Sequence, residues 1–376
     1  MAGWRTAKEV KSWYCLVRDL REGMNSLTDL EPPSVPVSTG TEGSGSPKPV
    51  PTHSGPPGAV ATHGACPACG HELSRTLVTV ADGMRTTAQP LYVVECVGCR
   101  LLRLSPWPNA NAIRRHYPPG YWLTGGEAHS RIEEYWRRFL LRDHVQFVKS
   151  ALRRADVAGP VLEVASRGGW FLQQIASRNR PVVAMDFDIS AASASWHSKR
   201  LPALCGTLAR APFAPKSFAA IVMFQVLEHL FDPASHLEAA RELLRPGGRL
   251  ILQVPNASCW QFLLLGERWS GLDAPRHLIH YRAHDLEILL DRCGFEVERT
   301  KYFALRDNPS GLSSSLVPSC DPETRRLSGK PESARMRVVK DLIHQSLTIA
   351  SLPFTIVEAA CHAGSTVMIE ARVKGA

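Results

Sequence analysis

From Val161 onward, short apolar runs alternate with stretches whose apolar residues recur at helical spacing. VLEVA (161–165), PVVAMDF (181–187), PALCGT (202–207), AAIVMF (219–224) and RLILQVP (249–255) read as strands. Uninterrupted apolar runs of this length suit strands buried on both faces. Helices are expected from Gly168-Gly169 to Ile175, over Ser190–Arg200, in SHLEAARELL (235–244) and in HDLEILLDRCG (284–294), which leads into the strand FEVERTKYF (295–303). The turn Arg245-Pro246-Gly247-Gly248 separates a helix from a strand. This alternation predicts an α/β fold, a parallel sheet covered on both faces.

Upstream, the pattern is different. Thr76–Val80 and Leu91–Glu95 read as a hairpin, and a helix is expected over Glu127–Ala155, with Tyr135, Phe139, Val145 and Val148 at helical spacing. Val10–Leu20 reads as a short amphipathic helix, and Glu31–Ala65 is rich in Pro, Gly, Ser and Thr, the composition of a disordered linker. Beyond Tyr302 the alternation breaks. Residues 307–334 are polar and Pro-rich and read as a long loop, 338–360 as an apolar helix interrupted at Pro353, and STVMIEARV (365–373) as a last strand. The expected organisation is an extension and linker over 1–65, a cysteine-bearing unit over 66–106, a connecting helical region over 107–156, a sheet domain over 157–303 and an insertion with the final strand over 304–376.

The chain has 376 residues, 44% hydrophobic and 21% charged, enough apolar material for a sizeable core and too much for a wholly disordered protein. No apolar run of membrane-spanning length is free of Pro and charge, and Met1–Leu30 lacks the apolar core of a secretory signal, so a cytoplasmic protein is expected. A net charge of +9 fits phosphate-bearing or anionic partners and equally an ordinary solvated surface. Of ten cysteines, four fall in Cys66-Pro-Ala-Cys69 and Cys96-Val-Gly-Cys99. Two such turns present four sulfurs tetrahedrally, which points to a closed, structural zinc site rather than a disulfide framework. His63 and His71 nearby read as surface histidines.

VLEVASRGGWFL, VVAMDFD, the LEHL of 227–230, ARELLRPGGRLILQVPN and PRHLIHYRAHDLEILLDRCGFEV together resemble class I S-adenosylmethionine-dependent methyltransferases of the type 11/23 group. CPACG and VECVGCRLLRLSPWP resemble the zinc-binding segment that precedes this domain in many bacterial methyltransferases. The resemblance covers about residues 66–298 and implies a Rossmann-like fold with a seven-stranded sheet, preceded by a zinc-ribbon-like unit. It also implies S-adenosylmethionine as cofactor. Carried over position by position, it assigns the cofactor to Glu163, Ala165, Arg167, Gly169, Asp186, Phe187, Thr207, Leu208 and Gln225. Ala165 and Arg167 replace glycines of the family's loop. Ala is inexpensive there if its φ is negative, whereas Arg does not supply the positive φ that Gly permits. Adjacent Gly168 can absorb the turn, leaving Arg167 to face an anionic substrate.

Methyl transfer is an in-line displacement that needs alignment, and a hydroxyl or carbon nucleophile also needs a base; the sequence leaves open whether oxygen, nitrogen or carbon is the acceptor. His229 is the first candidate, with His277 and His280 on the expected substrate side; Glu228 orients that segment or hydrogen-bonds the cofactor, Asn256 and Trp269 are candidate lining residues, and Tyr121 with Trp122 either closes over the cofactor or packs between the zinc unit and the sheet domain. A related segment binds a divalent metal in some quinone methyltransferases, but Gln225 stands where those have an acid. The expected function is methyl transfer to a small-molecule acceptor such as a sugar, glycan or lipid precursor. Ribosomal or transfer RNA methylation and a catalytically degenerate binding protein are the alternatives. Residues 338–360 are a candidate for weak contact with a membrane surface, a substrate cover or a dimer contact, and the sequence leaves the oligomeric state open.

Overall fold

The computed structural model describes residues 57–82, 87, 89–110, 113–118, 121 and 131–375. The expected helix over Val10–Leu20, most of the linker, and Trp122 lie outside the described residues.

The first layer is a four-stranded antiparallel sheet in the order β1-β2-β3-β4, formed by Val60–Thr62, Leu73–Val80, Leu91–Cys96 and Leu102–Ser105. The hairpin is therefore where the sequence placed it. The sheet begins earlier than the expected boundary at Cys66, because Val60 and Ala61 pair with Arg75 and Ser74. The linker composition gives way there to Val60-Ala61-Thr62, whose two β-branched residues suit a pleated edge.

The second layer is the expected seven-stranded sheet, in the order β10-β11-β9-β8-β5-β6-β7. Helix α1 (Arg131–Ala155) precedes β5 (Val161–Val164), α2 (Trp170–Ile175), β6 (Val182–Asp186), α3 (Ile189–Lys199) and β7 (Ala203–Cys205). Then follow β8 (Phe218–Phe224), α4 (Pro233–Leu243), β9 (Leu244–Pro255), α5 (Trp260–Leu265), α6 (Ala283–Arg292), β10 (Phe295–Lys301) and β11 (Thr366–Val373). Neighbours from β9 to β7 run parallel, and β11 is antiparallel to both β9 and β10. The expected Arg245–Gly248 turn is a register shift at the start of β9, between the Phe218–Leu244 and Ala220–Arg249 pairs.

Burial explains the strands. Every residue of β5 and β8 is buried. One apolar cluster, including Leu162, Ile221, Leu237 and Leu286, fills one face; a second, including Val148, Phe171, Leu172 and Val222, fills the other. A third joins the two sheets, with Val93 and Leu104 packed against Trp269, Leu272 and Ala274. The strand order reverses between β5 and β8, and in open α/β sheets the crevice at the carboxyl ends of such strands is where ligands bind.

The segment expected as a loop after Asp307 is helical: α7 (Asp307–Leu316), α8 (Pro322–Ser328) and α9 (Ala334–Ala360). In α7 the serines bond their own helix, Ser313 Oγ donating to Pro309 O at 3.1 Å and Ser315 Oγ to Gly311 O at 2.7 Å. Helix α9 continues through Pro353 instead of ending there. Pro353 and Ile349 are both exposed, so the Ile349 carbonyl deprived of its N–H partner lies on the solvent side.

Candidate functional site

The β5–α2 loop takes the turn that glycines usually make, without all the glycines. Ala165 (φ 57°), Arg167 (49°), Gly168 (94°) and Gly169 (76°) all lie in the left-handed region. Ala165 therefore lacks the negative φ that would make it inexpensive there, and Arg167 adopts the conformation that it disfavours. Each non-glycine residue so held costs about 1–2 kcal/mol. The reason is on the neighbouring strand: the Ser166 hydroxyl donates to Asp186 Oδ2 at 2.5 Å and the Arg167 N–H to Asp186 Oδ1 at 3.1 Å. Asp186 ends β6, is 1% exposed, and burial raises its pKa to about 6 against the opposing effect of those two donors.

The Arg167 side chain leaves the loop. It donates to Tyr121 O at 3.1 Å and to Glu323 Oε1 at 2.9 Å, so the anion it faces in this structure is Glu323 of α8. Glu163, at the end of β5, is buried with Oε2 lacking a hydrogen-bond partner, and burial followed by the charge of Asp186 pushes its pKa well up. Phe187 follows Asp186 with its ring 6.4 Å from His236, and Thr207 is half-buried. Leu208, 2% exposed, belongs to the apolar core. Gln225 has a left-handed φ of 56° and donates its N–H to Gln253 O at 2.8 Å.

Across the crevice, the segment after β8 meets the connection before α6. His229 and His277 lie edge to face at 4.7 Å, and ligand atoms of Glu228, His229 and His277 all lie within 4.8 Å of one another. His229 Nδ1 bonds Arg276 O at 3.0 Å and His277 Nδ1 bonds Gly271 O at 2.8 Å. A carbonyl only accepts, so both Nδ1 atoms carry hydrogen and both Nε2 atoms keep lone pairs. Neither carboxyl oxygen of Glu228 has a hydrogen-bond partner, and burial raises its pKa to about 8. Burial, then the neighbouring His277, depresses His229 to about 3. Two neutral imidazoles and an unpartnered carboxyl form a set able to take a proton or hold a divalent cation.

The sequence reading named Tyr121 but missed the rest of the frame around this group. Tyr117 Oη is 3.3 Å from His229 Nδ1, and Tyr121 Oη donates to Asp273 Oδ2 at 3.0 Å. Arg276 donates to Asp273 Oδ1 through Nε at 3.0 Å and Nη2 at 2.7 Å, and this pairing outweighs burial to hold the Asp273 carboxyl below its usual range. The Asp-x-x-Arg spacing of 273–276 was the available signal. His280 stands apart: its N–H bonds Leu102 O at 3.0 Å, its buried Nε2 has no hydrogen-bond partner, and burial lowers its pKa to about 3. Two candidate lining residues are structural instead. Asn256 Nδ2 donates to Gly364 O at 2.9 Å, and Trp269 packs between the sheets.

In the smaller sheet, Cys66 and Cys99 sulfurs are 3.7 Å apart, those of Cys69 and Cys96 3.5 Å, and all four lie within 4.8 Å of one another. Zinc–sulfur bonds of about 2.3 Å in a tetrahedron separate sulfurs by about 3.8 Å. His63 is not a free surface histidine, since it bonds Ser105 Oγ at 3.1 Å and Thr76 Oγ1 at 3.0 Å. Arg103 is 0% exposed and donates to Gly64 O at 2.8 Å.

Residues 130–300 match a family model described as a methyltransferase domain. A protein of Mycolicibacterium smegmatis named a probable S-adenosylmethionine-dependent methyltransferase is 33% identical over 172 residues, 45% of this chain and 62% of that protein. The demethylmenaquinone methyltransferase of a Mycobacterium species is 32% identical over 98 residues, 26% of this chain and 37% of the relative. A ubiquinone biosynthesis O-methyltransferase of Xylella fastidiosa is 34% identical over 122 residues, 30% and 48% of the two chains. This chain spans less than two thirds of the length of each.

Proposed function

We propose that this chain, whose residues 130–300 match a methyltransferase-domain model and which is 33% identical over 172 residues to a probable S-adenosylmethionine-dependent methyltransferase, transfers a methyl group from S-adenosylmethionine to a hydroxyl of a small-molecule acceptor. The observation that carries this reading is the β5–α2 loop, whose backbone keeps the left-handed turns although Ala165 and Arg167 replace glycines. A fold retained for packing alone has no need to hold two non-glycine residues in that strained form.

The residues fit the cofactor. The orphaned Glu163 Oε2 lies buried at the strand end and calls for a donor such as an ammonium group. A Cβ built on Gly168 meets nothing within 4 Å, so the loop leaves space beside it. Asp186 would accept from a ribose diol, sharing its oxygens with Ser166 and the Arg167 N–H. When bound, S-adenosylmethionine supplies the electrophilic methyl carried on a sulfonium.

The chain's own task is to align the acceptor and remove its proton. Tyr117, Tyr121, His229 and His277 present rings on which a planar or sugar-like acceptor can rest. The Nε2 lone pair of His229 can take the hydroxyl proton, and Glu228, with its pKa near 8, can accept it in turn. The names of the quinone-related relatives support a small-molecule acceptor; sugar, glycan and lipid precursors remain within that class. We also infer that Cys66, Cys69, Cys96 and Cys99 hold a structural zinc, a closed set with no open position.

Calorimetric titration of the full chain with S-adenosylmethionine and S-adenosylhomocysteine tests the reading. Micromolar binding that is lost in Asp186→Ala supports it. Absence of binding at millimolar ligand by folded protein overturns it in favour of a binding protein built on the same fold.

A further inference from the structure

Helix α9 is amphipathic in the reverse sense. Successive residues step round an α-helix at 3.6 per turn, and the buried positions of α9 are His344, Ser351, Thr355 and Glu358, all polar. They are held from inside the protein: Ser314 Oγ is 3.2 Å from His344 Nε2, Gln261 Nε2 donates to Glu358 Oε2 at 2.9 Å, and Thr348 Oγ1 donates to Ser313 Oγ at 3.1 Å. The opposite face is aliphatic and open, with Val338 56%, Leu342 57%, Ile349 63%, Ile356 54% and Val357 54% exposed. From Leu342 to Ala360 the only Asp, Glu, Lys or Arg is the buried Glu358. Neighbouring α5, whose Trp260 ring lies 6.2 Å from that of Phe354, adds Leu263 at 81% and Leu264 at 68% exposure.

We propose that this face of α9 docks the protein on the surface of an anionic lipid bilayer. Polar α9 residues are already satisfied against α7 and α5, so the helix is preset to lie flat with its apolar side outward, as an interfacial helix must. Charge supports a lipid surface as the occupant: Lys330, Arg335 and Arg337, all exposed, flank the amino end of the apolar face, on a chain of net charge +9. Composition agrees, because the face is aliphatic, whereas protein interfaces draw their anchors from aromatic residues and Arg. No helix among the described residues is long and apolar enough to cross a membrane, so the contact is peripheral. Strand β10 runs parallel to β9, which brings the insertion out at the carboxyl edge of the sheet, the edge that holds the candidate site. An acceptor dissolved in the bilayer follows only if the methyl-transfer reading holds.

The test is co-sedimentation of the full chain with vesicles of mixed phosphatidylglycerol and phosphatidylcholine, without methyl donor, so that its outcome is independent of cofactor binding. The wild type is expected to sediment with them and much less with phosphatidylcholine alone. Leu342→Glu combined with Ile349→Glu should weaken partitioning about tenfold or more, with circular dichroism unchanged because both side chains face outward. Arg335→Glu with Arg337→Glu should weaken binding to the anionic vesicles selectively. The proposal is overturned if the wild type stays in solution, or if the apolar variant sediments equally well. It is also overturned if light scattering shows a dimer that the same apolar substitutions dissolve, since the face then meets a second copy.

Discussion

The Arg167 guanidinium donates to Glu323 Oε1 at 2.9 Å, joining the β5–α2 loop to α8 across 156 positions of sequence. The pair is partly exposed, 29% at Arg167 and 50% at Glu323, and such pairs contribute about 0–1 kcal/mol. Its left-handed backbone costs about 1–2 kcal/mol. The larger effect is the strain, so Arg167→Gly is expected to leave the melting temperature unchanged or slightly raised and to keep or tighten S-adenosylmethionine binding. Calorimetry and thermal melts check both. Loss of binding in this variant would make the guanidinium itself a cofactor ligand.

Asp186 gives the protein a defined pH response. Its folded pKa is raised to about 6 from the ordinary aspartate value of 3.8. Between these values the folded state binds more protons than the unfolded state, so this group's contribution to stability falls as pH rises from about 4 to 6. Cofactor affinity should move the other way, rising over the same interval as the carboxylate forms and accepts from the ribose. Asp186→Asn should flatten the melting-temperature profile across that window. A profile with the wild-type slope would show that another group sets it.

The strands of the large sheet were legible because β5, β8 and most of β9 are buried and therefore largely apolar, β8 without interruption and β5 and β9 broken only by Glu163, Arg249 and Gln253. The cysteine quartet was legible because tight turns fix its spacing. Helix α7 was not: Pro309, Gly311 and the run Ser313–Ser315 have loop propensities, and it forms through packing on α9, where Thr348 Oγ1 donates to Ser313 Oγ, that no local pattern announces. The site divides in the same way. Asp186 ends a strand and His229 closely follows one, where motif spacing finds them, whereas the Asp273-Arg276 pair and Tyr117 arrive from two other segments of the chain. Arg167 was misread because sequence shows which residue replaces a glycine but not which neighbour, here Asp186, stabilises the strained turn.

Glu228 and His229 separate by pH. His229, depressed to about 3, is neutral throughout the working range, so it produces no inflection near its ordinary value. Glu228, raised to about 8, ionises within that range and can drain the proton that His229 accepts. Turnover should therefore rise with pH through about 8, and Glu228→Gln should remove that limb while leaving cofactor affinity intact. His229→Gln should lower turnover about 10²–10⁴-fold at every pH. An inflection near 6.5 in the wild type would show that the imidazole titrates in the reaction.

Around the proposed divalent ion the four thiolates would carry two negative charges in excess, and the fully buried Arg103 is a cation beside them, its guanidinium disfavoured by burial and favoured by the charges of Cys66 and Cys96. Removing one side of such a buried pairing costs about 3–5 kcal/mol. Arg103→Met should thus lower zinc retention against a chelator while Cys96→Ser lowers zinc content outright. Atomic absorption after graded chelation measures both. Wild-type retention in Arg103→Met would mean that the backbone carbonyls of His63 and Gly64, its hydrogen-bond acceptors, are its whole purpose.

Two glycines separate strain from space. Gly168 has a left-handed φ of 94° and open surroundings, so Gly168→Ala adds backbone strain alone, about 1–2 kcal/mol. Gly364 is not in the left-handed region, but a Cβ there would lie 1.8 Å from Tyr302 O and 3.0 Å from Asn308 Nδ2. Neither neighbour can yield freely: Tyr302 O accepts from Asn308 Nδ2 at 3.0 Å, and Gly364 O accepts from Asn256 Nδ2 at 2.9 Å. Gly364→Ala must therefore displace backbone where β10 leaves the sheet and β11 re-enters it, at a cost of about 3 kcal/mol or more. The expected order of melting temperatures is wild type, Gly168→Ala, then Gly364→Ala. Because the clash lies at the root of the insertion, Gly364→Ala should also increase proteolysis within residues 304–365, and Gly168→Ala should not. Equal melting temperatures for the two variants would contradict the close approach of Gly364 to Tyr302.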